Sequence, residues 1–353
     1  MVENISVLTI TWFLHVICKN KNVYFAIVYS VFAITVGIRD ASEGTDTFAY
    51  IKMYDYFSNN VDFSVIHYLE FGVRVVIFIA SLLYDDYQSF LFLSSCITYL
   101  GIGVFVYKNT SRENYWIATF LIVALGFYSF SFNGLRQALC IGVGVNSLQY
   151  LSELKFAKAL FISILAALFH FSGVVLVVFA LISWVIYCLI KKGANYQLLI
   201  PSIAVLVMAA MMPIIKILVE NIEVFNKFNV YFSDGFYSEQ AELGALRYFL
   251  LMCYVIVVAL LLVKEKNIDY RKIYVALYGE FAVVFTLLQV IFMYIFYRLV
   301  CYFDVYMVIG MPMIISRFRE ATTRWFVLLL LIIGGYVSVI HMVLAKANGV
   351  GGL

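Results

Sequence analysis

Residues 127–146 read FYSFSFNGLRQALCIGVGVN, an apolar and aromatic stretch that contains a single arginine, Arg136. A guanidinium at the centre of a membrane helix raises the free energy of insertion by roughly 2.5 to 3.5 kcal/mol, and by less near an interface. The stretch is otherwise apolar enough to lie in a membrane. Arg136 therefore needs a partner or a ligand that offsets this penalty.

The composition of the whole chain places this stretch in a membrane protein. Of its 353 residues, 64% are hydrophobic and 13% are charged, whereas soluble domains have about 25% charged residues. Apolar runs separated by short polar breaks recur along the chain, which predicts an all-α polytopic membrane protein forming one integral-membrane domain over residues 1–353. The predicted spans, about twelve in number, are 4–18, 23–38, 88–107, 115–131, 137–151, 157–169, 172–190, 198–219, 246–263, 273–296, 299–315 and 325–344.

The distribution of basic residues predicts the orientation of these spans. Most lysines and arginines fall in alternate loops, which the positive-inside rule assigns to the cytoplasm. This alternation holds only if segment 66–84, which Glu70 and Arg74 interrupt, does not cross, so we predict a re-entrant or interfacial helix there. Both chain ends and the two long loops, about 39–65 and 220–245, are then periplasmic. Basic residues that set topology give no indication of nucleic-acid binding.

Most of the remaining charged residues gather in five outer turns next to apolar helix ends. Ionisable groups in membranes usually face a cavity or one another, so we predict one shared pocket at the outer leaflet. The residues concerned are Arg39, Asp40, Glu43 and Asp46 after the second span, Glu70 and Arg74 in YLEFGVR, Arg136, His170 in ALFHFSG, and Arg298 in FYRLVCYF.

The chemistry of these groups indicates an anionic, sugar-bearing ligand. Arginine forks match phosphate oxygens, and three arginines near the outer surface favour a lipid-linked pyrophosphate. Carboxylates and a histidine can orient or deprotonate a hydroxyl. Aromatic, acidic and amide residues in segment 221–244 suit a glycan.

Each of these residues also has a plain structural interpretation. Arg136 and Arg298 could be helix-end residues that reach lipid head groups. Asp40 and Asp46 could cap a short helix that starts near Thr47. His170 could have a purely structural role, in which it hydrogen-bonds a backbone carbonyl in a tight turn.

Glu70 and Arg74 form a plausible i to i+4 pair, so we assign them as structural support. Asn133, Gln137 and Ser172 flank the charged residues and are assigned the same supporting role. The cysteines occur singly in apolar segments, and no spacing typical of a metal site is evident, so we expect no metal.

Taken in order, GIRD…GTD…Y, LEFG, SFNGLRQ, the basic loop KFAK and ALFHFSG resemble the EpsG-like group of Wzy-type polysaccharide polymerases. By motif the resemblance covers about residues 20–190. The EPGF-like element of the family stands here as Glu70-Phe71-Gly72, without the proline. The resemblance implies a membrane glycosyltransferase of the GT-C type in the bacterial inner membrane, with its active site facing the periplasm.

The implied reaction transfers a growing glycan from undecaprenyl pyrophosphate to the terminal sugar hydroxyl of another lipid-linked repeat unit. Arg136 and Arg298 would hold the donor pyrophosphate, with Arg39 in support, and no cofactor or metal would be needed. Asp40, Asp46 or His170 would orient or deprotonate the acceptor. The expected partners are these lipid-linked oligosaccharides, membrane lipid and a chain-length regulator. An O-antigen ligase and a flippase or exporter of the same lipid are the alternatives, and sparse charge within the spans argues against the flippase.

Overall fold

The computed structural model describes residues 2–18, 20–44, 46–59, 69–221, 254–263, 267–291 and 296–347. These residues form helices and no strand, as the sequence predicts. The helices are α1 (Val2–Ile17), α2 (Lys21–Gly37), α3 (Thr47–Asn59), α4 (Phe71–Leu83), α5 (Tyr87–Asn109), α6 (Tyr115–Ala124), α7 (Phe127–Asn133), α8 (Leu135–Gly144), α9 (Ser147–Ser152), α10 (Phe156–Ala167), α11 (Val174–Lys191), α12 (Tyr196–Asn221), α13 (254–261), α14 (Tyr270–Ile291), α15 (Phe296–Ile315) and α16 (Ala321–Ala347).

Candidate membrane spans are fewer than the sequence predicts. Among the described residues, four helical segments are long and apolar enough to cross a membrane: Tyr87–Asn109, Phe171–Lys191, Arg298–Ile315 and Ala321–His341. A fifth is added if the bent pair α6 and α7 counts as one span. The protein is therefore a membrane-embedded helical protein, while twelve crossings stay a prediction. Part of the predicted span 246–263 and most of the predicted loop 220–245 lie outside the described residues.

Two of the predicted spans are broken in the structure. The span 115–131 divides into α6 and α7, which meet at 48° because Gly126 adopts a left-handed φ of 88°. The span 137–151 divides into α8 and α9. At that break the Asn146 amide donates to the carbonyl oxygens of Gly101 and Gly142, both at 3.0 Å.

Segment 66–84 contains α4, which begins at Phe71 despite the missing proline. Thirteen residues at 1.5 Å rise make a helix about 20 Å long, shorter than the hydrocarbon core of about 30 Å. It belongs with the shorter apolar helices of the described residues, below the length taken for a candidate span. The interfacial or re-entrant placement of this segment stays a prediction.

The described chain divides into two compact units. The first contains residues 1–181 and 315–353, and the second contains residues 182–314. In the first, α5 packs against α2, α4 and α8, and α6 lies between α1 and α16. In the second, aromatic rings from α14 and α15 form the core, with the Tyr278 and Tyr306 centroids 4.2 Å apart.

Large apolar side chains also cover the outside of the first unit. Leu82, Leu100 and Trp325 are each about 70% exposed. An apolar surface of this kind on a soluble protein would be an aggregation liability, whereas in a membrane it contacts lipid.

Candidate functional site

An ion pair joins two of the predicted polar turns. Glu70 immediately precedes α4, and Arg136 lies in the first turn of α8. Arg136 Nη1 donates to Glu70 Oε2 at 2.7 Å, and the two side chains are 25% and 19% exposed. The sequence analysis predicted an ion pair between Glu70 and Arg74, four residues away. The structure gives Glu70 a contact with Arg136, 66 residues away.

A third polar turn reaches the same carboxylate. The backbone N–H of Phe171 donates to Glu70 Oε1 at 3.3 Å. Both oxygens of Glu70 therefore accept hydrogen bonds, one from a guanidinium and one from the turn that carries His170. The carboxylate links the segments before α4, at the start of α8 and before α11.

Close backbone packing holds these segments together. Gly72 N–H donates to the Leu168 carbonyl oxygen at 2.7 Å. A Cβ at Gly72 would lie 2.8 Å from that oxygen and 2.8 Å from Phe169 Cδ1. Only glycine lets the start of α4 approach the 168–169 turn this closely, so the Glu70-Phe71-Gly72 motif has a direct structural reason.

His170 is half-buried and shapes its own turn. Its Nδ1 accepts from the Ser172 N–H at 3.1 Å and lies 2.9 Å from Ser172 Oγ. Because an N–H can only donate, Nδ1 carries the lone pair, and in the neutral ring the proton is on Nε2. A hydrogen bond from His170 to a backbone carbonyl, the plain interpretation, stays a prediction. Ser172 supports the histidine, as its position in the sequence indicates.

Arg39 lies inside the first unit, where its side chain is 1% exposed. Its Nε donates to Thr47 Oγ1 at 3.0 Å, and its Nη1 donates to the Val36 carbonyl oxygen at 3.3 Å. Its buried Nη2 has no hydrogen-bond partner among the described residues. Through these hydrogen bonds Arg39 links the end of α2 to the start of α3.

Burial lowers the pKa of the Arg39 guanidinium to about 10, although nearby Tyr50, Tyr99, Glu43 and Asp46 oppose the shift. Burial therefore disfavours the charged form of Arg39 more than its neighbours favour it. A further anion beside the guanidinium would stabilise the charged form.

The two aspartates after α2 differ in their surroundings. Asp40 is exposed, and its Oδ1 accepts from the N–H and hydroxyl of Ser42 at 2.9 and 2.7 Å, which lowers the pKa of Asp40. Asp46 is half-buried and directly precedes α3. Its charge lies close enough to Arg39 to raise the pKa of the Arg39 guanidinium. The predicted start of a short helix near Thr47 is confirmed.

Tyr50 connects these groups, and the sequence analysis gave it no role at the site. Its hydroxyl donates to the Asn133 carbonyl oxygen at 2.9 Å, and its side chain is 4% exposed. Burial raises the pKa of Tyr50, and the charges of Arg136 and Arg39 oppose that shift. Tyr50 thus joins the Arg39 and Arg136 neighbourhoods into one cluster. Its place one helical turn after Asp46 was the available signal.

Other predicted residues surround this cluster or lie elsewhere. Asn133 is half-buried at the end of α7, Gln137 is buried in α8, and Arg74 is half-buried in α4. Arg298 is an exposed residue at the start of α15, in the second unit. Within the described ranges, no three His, Cys, Asp or Glu side chains are grouped as metal ligands would be.

Two acidic residues within the helices of the second unit were also missed. Asp304 Oδ1 accepts from the Tyr254 hydroxyl at 2.7 Å. Glu280, half-buried in α14, lines a cavity of about 400 Å³ whose other walls, except for Gln197, are apolar. The spans of this unit are therefore less free of charge than the sequence analysis assumed.

Comparison with known proteins gives one match. The profile of the EpsG family matches residues 22–350, which include every site residue described above. No curated protein matches the chain, and no solved structure does.

Proposed function

Because this chain belongs to the EpsG family of Wzy-type polysaccharide polymerases, we propose that it polymerises lipid-linked oligosaccharide repeat units at the periplasmic face of the bacterial inner membrane. The donor is a growing glycan on undecaprenyl pyrophosphate. The acceptor is the terminal sugar hydroxyl of another lipid-linked repeat unit.

The observation that carries this proposal is the cluster around Arg136. Four polar turns that are distant in sequence supply Arg39, Glu70, Arg136 and His170 to the same unit, and Tyr50 connects two of them. Several ionisable groups gathered beside apolar helices are typical of a substrate site in a membrane protein. A protein that only anchors arginines to lipid head groups would not need this convergence.

The geometry supports a specific division of roles. Pyrophosphate is already a good leaving group, so the reaction needs stabilisation of the developing negative charge more than a strong acid. Arg136 holds the pyrophosphate in our proposal, and buried Arg39 positions the loop before α3. Asp40, Asp46 and His170 are the candidates that orient the acceptor hydroxyl. The arginines make the enzyme a metal-independent glycosyltransferase.

The phenotype of a deletion strain tests the proposed polymerase activity. We expect lipopolysaccharide with a single added repeat unit, restored to a ladder of long chains by a plasmid copy of the gene. Bare core without any repeat unit would instead identify a ligase. Lipid-linked repeat units that accumulate on the cytoplasmic side would identify a flippase, which the acidic residues of the second unit keep as an alternative.

A further inference from the structure

The Glu70 carboxylate occupies a place on Arg136 that suits an anionic ligand. It takes one donor of the guanidinium, Nη1, while the buried Nε has no hydrogen-bond partner among the described residues. The second oxygen of Glu70 accepts from the Phe171 N–H. The carboxylate therefore satisfies only part of what the guanidinium can donate, and a phosphate group with more oxygens and more charge can satisfy more.

We propose that the donor pyrophosphate displaces Glu70 from Arg136, and that the freed Glu70 carboxylate is the base for the acceptor hydroxyl. This inference rests on the proposed polymerase function and adds a catalytic residue to it. The other candidates have different partners: Asp40 accepts from Ser42, His170 Nδ1 accepts from the Ser172 N–H, and Asp46 lies near the Arg39 guanidinium. Glu70 differs from them because its partner is Arg136, the residue that the donor pyrophosphate would bind.

The chemical step balances without any further reactant. The proton of the acceptor hydroxyl moves to a Glu70 carboxylate oxygen while the hydroxyl oxygen forms a bond to the anomeric carbon of the donor. The bond between that carbon and the pyrophosphate oxygen breaks, and its electron pair leaves with undecaprenyl pyrophosphate. Arg136 stabilises the charge of this leaving group.

Displacement also sets the order of events. While Glu70 is paired with Arg136, one of its carboxylate oxygens is occupied by the guanidinium and does not face an acceptor hydroxyl. Donor binding removes the guanidinium and places the carboxylate beside the new pyrophosphate. The base is thus activated only when the donor is bound, which limits proton removal in the absence of a donor.

The first test measures binding of inorganic pyrophosphate to the purified full-length protein in detergent, by calorimetry. Removing the competing charge with Glu70→Gln should tighten binding by about two- to fivefold, the range expected for a partly exposed ion pair. Arg136→Ala should abolish it. Glu153→Gln, which changes an exposed glutamate in the same unit, is the matched control. Equal affinity of Glu70→Gln and wild type would overturn the displacement.

The second test measures polymerisation by the full-length protein in proteoliposomes supplied with lipid-linked repeat units. Glu70→Gln should lower kcat by about 10²- to 10⁴-fold, the usual contribution of a general base, without raising the KM for the donor. The acid limb of the pH profile of kcat should also disappear. A purely structural glutamate would change expression or KM and leave the shape of the pH profile intact.

Glu70→Asp keeps the charge and guards against misfolding of the glutamine variant. It should retain partial turnover with the wild-type form of the pH profile. Normal kcat in Glu70→Gln would exclude Glu70 as the base. If wild-type protein binds pyrophosphate but does not extend lipid-linked repeat units, the proposed function fails while the displacement is still decided by the binding test.

Discussion

Arg136 combines a charged partner with unused hydrogen-bonding capacity. Its pair with Glu70 offsets the cost of placing a guanidinium at the start of an apolar helix. Its planar group carries five N–H donors, and the buried Nε is without a partner in the described part of the chain. A residue that only anchored the helix to lipid would not require a carboxylate from a segment so distant in sequence.

The substitution Arg136→Lys separates the two interpretations of this residue. If Arg136 holds pyrophosphate with a fork of two donors, lysine should fail nearly as badly as Arg136→Ala, because it keeps the charge and loses the planar double contact. Complementation of a deletion strain, scored by the ladder of long chains, measures this. Membrane protein level is checked by blot.

Arg319→Ala, which removes an exposed arginine from the predicted cytoplasmic side, is the control and should give a normal ladder. A normal ladder from Arg136→Lys would remove support for the bidentate contact. A normal ladder from Arg136→Ala at equal expression would exclude Arg136 from the site.

The arginines of the proposed pyrophosphate site lead to a prediction about metal ions. If guanidinium groups supply the positive charge at the pyrophosphate, as we propose, polymerisation by reconstituted protein should continue in excess EDTA. The rate is measured with lipid-linked repeat units before and after chelation. Loss of activity that magnesium or manganese restores would show that the arginines do not suffice.

The crossing of α5 and α8 explains how the helix that carries Arg136 is held. A Cβ at Gly101 would lie 2.1 Å from the Gly142 carbonyl oxygen, and a Cβ at Gly142 would lie 2.7 Å from the Thr98 carbonyl oxygen. Small residues allow membrane helices to approach this closely, so that backbones pack directly against each other. The position of Arg136 therefore depends on two glycines, Gly101 in α5 and Gly142 in α8.

Gly101→Val should separate α5 from α8 and destabilise the protein by about 1 to 3 kcal/mol, the usual range for overpacking. We expect a lower Tm in detergent together with loss of the long-chain ladder. Leu100→Val is the matched control, because Leu100 directly precedes Gly101 on the same helix and is exposed. An unchanged Tm in Gly101→Val would contradict the close crossing.

The predicted orientation of the protein in the membrane rests on its basic loops. The loop that carries Asp40 and Ser42 is expected to be periplasmic, and the basic turn at Lys191 and Lys192 is expected to be cytoplasmic. Both positions are on the protein surface, since Ser42 and Lys192 are exposed.

Single cysteines test this orientation in a background from which the six natural cysteines are removed. In intact spheroplasts, Ser42→Cys should react with a membrane-impermeant maleimide and Lys192→Cys should not. Both should react after the membrane is opened. Labelling of Lys192→Cys alone in intact spheroplasts would invert the topology and place the site on the cytoplasmic side.

The amino-acid sequence was sufficient for the class of the protein and for much of its helical structure. The predicted spans 88–107, 172–190 and 299–315 lie within helical segments found at Tyr87–Asn109, Phe171–Lys191 and Arg298–Ile315. Apolar run length and turn residues are local properties, so they can be recognised from neighbours in the chain. The polar turns at Glu70, Arg136 and His170 were recognised for the same reason.

The pairing of those turns was decided by tertiary structure. Arg74 is one helical turn away from Glu70, yet the ion pair of Glu70 is with Arg136. The close contact at Gly72 brings the start of α4 to the 168–169 turn. The close approach of α8 to α5 places Arg136 beside Glu70. Tyr50 joins the cluster through contacts between residues far apart in sequence. Such contacts depend on how distant segments pack, and no local pattern in one sequence specifies that packing.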